Sequence, residues 1–98
     1  MQYLVIASIP ENLSKRDVVP QIRPEAMASW KLWESEMMRA VWYKADMSGA
    51  VMVLDAPSMK EIEEALDTLP MIHEGLLKPE IIPLKSYTGW DKLFAKES

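Results

Sequence analysis

"MRAVWYKADMSGAVMVLD", Met38 to Asp55, reads as two strands about a turn. The first run, Met38 to Ala45, mixes apolar residues with Arg39, Tyr43 and Lys44. Asp46 to Gly49 supply turn chemistry, and Ala50 to Asp55 form a second, almost wholly apolar strand. The spacing predicts a hairpin with a half-exposed strand and a buried one.

Working outward, a helical pattern flanks the hairpin on each side. Upstream of it, Ala26, Trp30, Trp33 and Met37 recur at spacings of four, three and four, which predicts a helix after Pro24 with one buried apolar stripe. Downstream, Ser58 and Glu61 have capping-box spacing, Met59, Ile62, Leu66 and Leu69 form a stripe, and Pro70 is expected to stop that helix. At the ends lie two more strands. Tyr3 to Ile9 is a continuous apolar run, while Glu80 to Tyr87 carries Pro83, which has no N–H for a ladder and belongs at a sheet edge. The order β-α-β-β-α-β predicts a ferredoxin-like α+β domain with a four-stranded antiparallel sheet, its first and third strands central.

Two helices cover one face of such a sheet. The alternate residues of its apolar central strands leave a large apolar surface on the other face, more than a soluble monomer usually exposes. A chain of 98 residues buries only roughly 60 to 65% of its unfolded surface. A homodimer packed sheet to sheet is therefore expected.

Composition narrows the partners. A net charge of −4 with 11 scattered Lys and Arg gives no nucleic-acid footprint and no affinity for an anionic membrane surface. The apolar run at the start is too short for a signal segment or a membrane span, so a cytoplasmic protein is expected. Without cysteine, and with His73 the only histidine, disulfides, thiolate sites and zinc sites are not expected.

The stretch "RAVWYKADMSGAVMVLDAPSMKEIEEALDTLP", Arg39 to Pro70, resembles the muconolactone delta-isomerase family of the dimeric α+β barrel group. Arg39-x-x-Trp42, the apolar strand ending in Asp55, Ser58 opening the helix and "LDTLP" closing it carry the likeness. The resemblance implies a cofactor-independent, proton-shifting enzyme that acts on a small lactone or aromatic-derived acid in aromatic compound catabolism. Alternatives are a non-catalytic dimeric barrel that binds a small apolar ligand, and a cofactor-free oxygenase of the same barrel class. The connector from Met71 to Pro79 is longer here than in the isomerases, so the resemblance assigns His73 no counterpart.

Moving a proton along a lactone needs a base near neutrality, a donor for the developing oxyanion and a cation for a substrate carboxylate. Arg39 suits the carboxylate, though an edge-strand arginine also pairs with acids structurally. Glu25 at the head of the first helix and Glu34 or Glu36 near its end are candidate bases if Trp and Met walls desolvate them, against the ordinary reading of a solvated helix face; Asp55 is a further candidate, against local turn or cap hydrogen bonding. His73 has a suitable pKa but lies in a polar turn. Trp30, Trp33, Trp42 and Trp90, with Tyr3, are candidate substrate-binding residues for a flat ligand, or else core packing. The tail 86–98, with Trp90, Leu93 and Phe94, is expected to dock on the fold or on a partner subunit and close the cleft.

Overall fold

A computed structural model describes residues 1–95 of the chain. The strands are β1 (Gln2–Ser8), β2 (Met38–Tyr43), β3 (Gly49–Asp55) and β4 (Lys78–Pro83). The helices are α1 (Lys15–Val18), α2 (Ile22–Glu34), α3 (Met59–Asp67), α4 (Pro70–His73) and α5 (Asp91–Phe94), with a 3₁₀ turn at Val19–Gln21. All pairings are antiparallel in the order β2-β3-β1-β4, so β1 and β3 are central as their apolar continuity requires.

Each central strand alternates. Tyr3, Val5 and Ala7 of β1 and Met52 and Leu54 of β3 are buried, and Leu32 of α2 with Ile62, Ala65, Leu66 and Leu69 covers most of them. Their neighbours Leu4, Ile6, Val51 and Val53 point to the opposite face and are only half-buried. The uncovered apolar face expected from the sequence is therefore present. Among the described residues, no helix is long and apolar enough to cross a membrane.

Leu84 N–H donates to the Gln2 carbonyl at 2.9 Å, so Pro79 and Pro83, at alternate positions, turn their missing donors to the free edge. The strand ends at Pro83, short of Tyr87, because the chain beyond Leu84 leaves the sheet. Ser58 is the N-cap of α3 as its spacing predicts, with its hydroxyl donating to the Glu61 carboxylate at 2.8 Å.

Two sequence readings change. Pro70 does not simply stop α3, which already ends at Asp67; it occupies the first position of α4, where a missing N–H costs nothing. Gly75, at φ 76°, then ends α4 in the left-handed region. The second change concerns α2. Of the stripe Ala26, Trp30, Trp33 and Met37, only Met37 packs on the core, while Leu32 and Ala28 form the sheet-facing side. Trp30 and Trp33 remain 60% and 48% exposed.

Candidate functional site

The displaced tryptophans frame an apolar cleft between α2 and β2. Ala26, Ser29, Trp30 and Trp33 form one wall and Met38 and Val41 the other, around about 280 Å³ open on one side. Ser29 is the single polar lining residue, and its hydroxyl donates to the Ala26 carbonyl at 3.1 Å.

The β2 wall depends on an irregularity that spacing cannot reveal. Met38 pairs with Leu54 and Val41 with Met52, both on the helix-covered face, although an odd spacing of three would put them on opposite faces of a regular strand. The register shift between Met38 and Ala40 makes Arg39 an extra residue, a bulge that returns Val41 to the side of Met38. The same bulge moves Trp42 away. Trp42 pairs with Val51 on the uncovered face and is not a wall of the cleft.

The other candidates are dispersed. Tyr3 is a core residue, 3% exposed, whose hydroxyl donates to the Met1 sulfur at 3.4 Å. Trp90 is on the exposed C-terminal arm and does not line the cleft. Arg39 is exposed, with its guanidinium donating to the Glu36 carbonyl at 3.4 Å beyond the C-terminal end of α2. Glu25 is in the first turn of that helix, about 14 Å from its far end at 1.5 Å per residue. One small ligand cannot reach Glu25 and Arg39 of the same protomer. Glu34 and Glu36 are exposed, and Asp55 pairs with the Met1 amino group at 3.1 Å.

Glu25 is the carboxylate that leaves water. Its Oε1 accepts the Met71 N–H at 2.9 Å, satisfying a donor in the first turn of α4. Burial raises its pKa, and the Met71 hydrogen bond offsets part of that rise. Ser29 is four residues on, hence on the adjoining helix face one turn away. Glu25 thus sits at the head of the cleft without lining it.

His73, in α4, is close to Glu25 in the chain fold but turns outward. Its Nδ1 is 3.0 Å from Asp67 Oδ1, and the side chain is 60% exposed. The hydrogen bond to Asp67, then its charge and that of Glu74, raise the His73 pKa. The folded state binds that proton more tightly, so the pair favours folding below the ordinary histidine range near 6.5 and the benefit fades as pH rises through the folded value. Asp67→Asn should lower the His73 pKa toward the ordinary value. As the only histidine, its ring-proton NMR titration reads this without ambiguity, and an unmoved midpoint would discard the Asp67 contact.

A wider hollow of about 690 Å³ lies at the far end of β1 and β4, lined by Ile6, Ser8, Pro10, Glu11, Lys78 and Glu80 among others. It holds none of the candidate residues. Among the described residues, no group of three or more His, Cys, Asp or Glu could hold a metal ion. Sequence reasoning missed Ser29, Met38 and Val41; the spacing of Ser29 from Glu25 was the one available signal, since the other two depend on the bulge.

No protein-family model matches the chain, and no curated protein matches it in sequence. Solved structures do match its shape. One is 5-chloro-2-hydroxyhydroquinone dehydrochlorinase (TftG) from Burkholderia phenoliruptrix AC1100 in complex with 2,5-dihydroxybenzoquinone, at TM-score 0.76 and 14% identity over 91% of this chain and 98% of that one. Another is muconolactone isomerase, at TM-score 0.71 and 19% identity over 89% of this chain and 91% of that one. The protein has the muconolactone isomerase-like fold, an α+β arrangement of helices with a four-stranded antiparallel sheet.

Proposed function

We propose that the protein is a homo-oligomeric, cofactor-independent proton-shifting enzyme of muconolactone isomerase-like type, acting on a small lactone or aromatic-derived acid. One observation carries this reading: Glu25, half-buried with a raised pKa, stands one helical turn from Ser29 at the head of a cleft walled by Trp30 and Trp33. The cleft suits a flat ring, because large aromatic faces give contact without demanding polar partners.

The assigned step is a proton shift. With the ring seated at the head of the cleft and extending past Ser29 to Glu25, Glu25 takes a proton from a carbon conjugated with the lactone carbonyl, the electron pair passes to the carbonyl oxygen as a dienolate, and a proton returns at the other end of the conjugated system. Ser29 is the hydroxyl available to the oxyanion. The two named structural neighbours, a 5-chloro-2-hydroxyhydroquinone dehydrochlorinase and a muconolactone isomerase, are both named for small oxygenated rings, which supports this substrate class. Arg39 and His73 have no part in this assignment. A second reading, a binding module for a flat apolar ligand, is favoured by the lining itself, which is apolar apart from Ser29.

Muconolactone in D₂O separates the two. The enzyme reading expects solvent deuterium to enter the lactone, visible by NMR, with Glu25→Gln slowing it roughly 10²- to 10⁴-fold. A raised carboxyl pKa means the folded state holds the proton more tightly, so ionised Glu25 costs stability once the pH exceeds its folded value. Gln keeps an acceptor for Met71 N–H, so Glu25→Gln should melt at or above the wild-type temperature at pH 7, with the gain vanishing below about pH 4. Wild-type protein that quenches its tryptophans on binding the lactone yet exchanges no deuterium leaves only the binding module.

A further inference from the structure

Beyond β4 the chain leaves the body. Its radius of gyration is 16.3 Å and its long axis 61 Å, against about 13 Å for a compact chain of this length. Tyr87, Trp90, Leu93 and Phe94 on this arm are 73%, 68%, 74% and 83% exposed. The arm is nevertheless locally ordered. The Tyr87 and Trp90 rings meet edge to face at 5.3 Å, and Trp90, the N-cap of α5, lies three and four residues before Leu93 and Phe94 in that helix, a spacing that gathers them into one apolar knob. Residues 96–98 of the tail lie outside the described residues.

The chain thus carries two unpartnered apolar surfaces, the knob and the cleft lined by Trp30, Trp33, Met38 and Val41. The cleft is walled by edge strand β2, and the knob follows edge strand β4 in the chain. Met38, Leu54, Tyr3 and Pro83 form one row across the sheet, so the arm departs from the β4 edge three strand spacings, roughly 14 Å, from the β2 edge that walls the cleft. We propose that the arm of one copy, Tyr87 to Phe94, seats on the cleft of a second copy and supplies the wall that the cleft lacks.

Three things favour a second copy as the occupant. The knob and the cleft are present in equal number, so reciprocal exchange closes a two-fold assembly with no apolar surface left over. The area is sufficient: at roughly 150 to 250 Å² per aromatic side chain, the three arm aromatics of two copies alone remove on the order of 900 Å², and the cleft walls bring the total into the range of specific interfaces. The cleft is also small. At about 280 Å³ it is at the lower end of ligand pockets while open on one side, which fits a site awaiting another wall. The proposal names the partner of the ligand cleft and rests on that cleft being the site.

The chain has no cysteine, which makes disulfide trapping clean. Full-length Ser29→Cys and Leu93→Cys variants, one carrying an affinity tag, are mixed and oxidised, with Glu63→Cys on the exposed side of α3 as the control partner. The mixed disulfide dimer of Ser29→Cys with Leu93→Cys should exceed the control pair about tenfold or more. Equal yields overturn arm exchange. So does a Ser29→Cys/Leu93→Cys double variant that forms only an intrachain link on dilution, since the arm then folds onto its own cleft. The trapping needs no ligand, so its failure is distinct from failure of the catalytic reading, which the deuterium exchange tests.

Discussion

Gly49→Ala should destabilise the protein by about 3 kcal/mol or more, a fall in melting temperature of roughly 12 to 24 °C for a domain of this size. Gly49 opens β3 opposite Ser8 of β1, where the two central strands come closest to the β2–β3 turn. A Cβ there overlaps the Ala7 carbonyl oxygen and lies within 3.0 Å of the Ala7 carbonyl carbon and the Ser8 Cα. These are backbone atoms, so no rotamer change makes room. The strands must part, and the Lys44 N–H to Gly49 carbonyl bond of 2.9 Å and the Ile9 N–H to Ser48 carbonyl bond of 2.9 Å are strained with them. Circular dichroism melts of the variant check this. A loss below about 1 kcal/mol would mean that β1 and β3 separate easily at this end.

The same residue shows what a sequence discloses and what it hides. Gly49 reads as a turn glycine among Asp46, Met47 and Ser48, yet Met47 takes the left-handed φ of 61°, and Gly49 is needed instead for close approach to β1. The strand order was legible because burial on both faces requires continuous apolar runs, and Pro83 can sit only at an edge. The rotation of α2 was not legible. Two stripes compete on that helix, and hydrophobicity alone favours the tryptophans, but small Ala28 with Leu32 permits closer packing, and the Glu25 to Met71 bond fixes the angle.

That rotation carried Trp30 and Trp33 from an expected core to a cleft, and the bulge at Arg39 carried Trp42 out of it. Both depend on tertiary geometry of about one residue's displacement, which periodicity cannot resolve. Candidate residues read singly from their chemistry therefore scattered. Desolvation was the condition stated for Glu25, and packing against α4 meets that condition.

Val53→Lys should raise the dissociation constant of the assembled protein roughly 100-fold or more. Val53 is central to the uncovered sheet face, paired with Leu4 on one side and Ala40 on the other, and half-buried in the single chain. A lysine there reaches water in the monomer, so the fold tolerates it. In a sheet-to-sheet assembly, it strands an unpaired ammonium between apolar faces, an expense of about 3 to 5 kcal/mol, and 1.4 kcal/mol is already tenfold in affinity. Sedimentation over a dilution series reads the shift toward the 11.2 kDa monomer, while an unchanged far-UV spectrum confirms the fold. The wild type should also melt at higher temperature as its concentration rises, and Val53→Lys should lose that dependence. Arm exchange engages the other face of the molecule, so disulfide trapping between Ser29→Cys and Leu93→Cys should weaken in a Val53→Lys background only if the two contacts belong to one closed assembly. An unchanged dissociation constant for Val53→Lys would leave the apolar sheet face without this partner and make the arm the sole tie between copies.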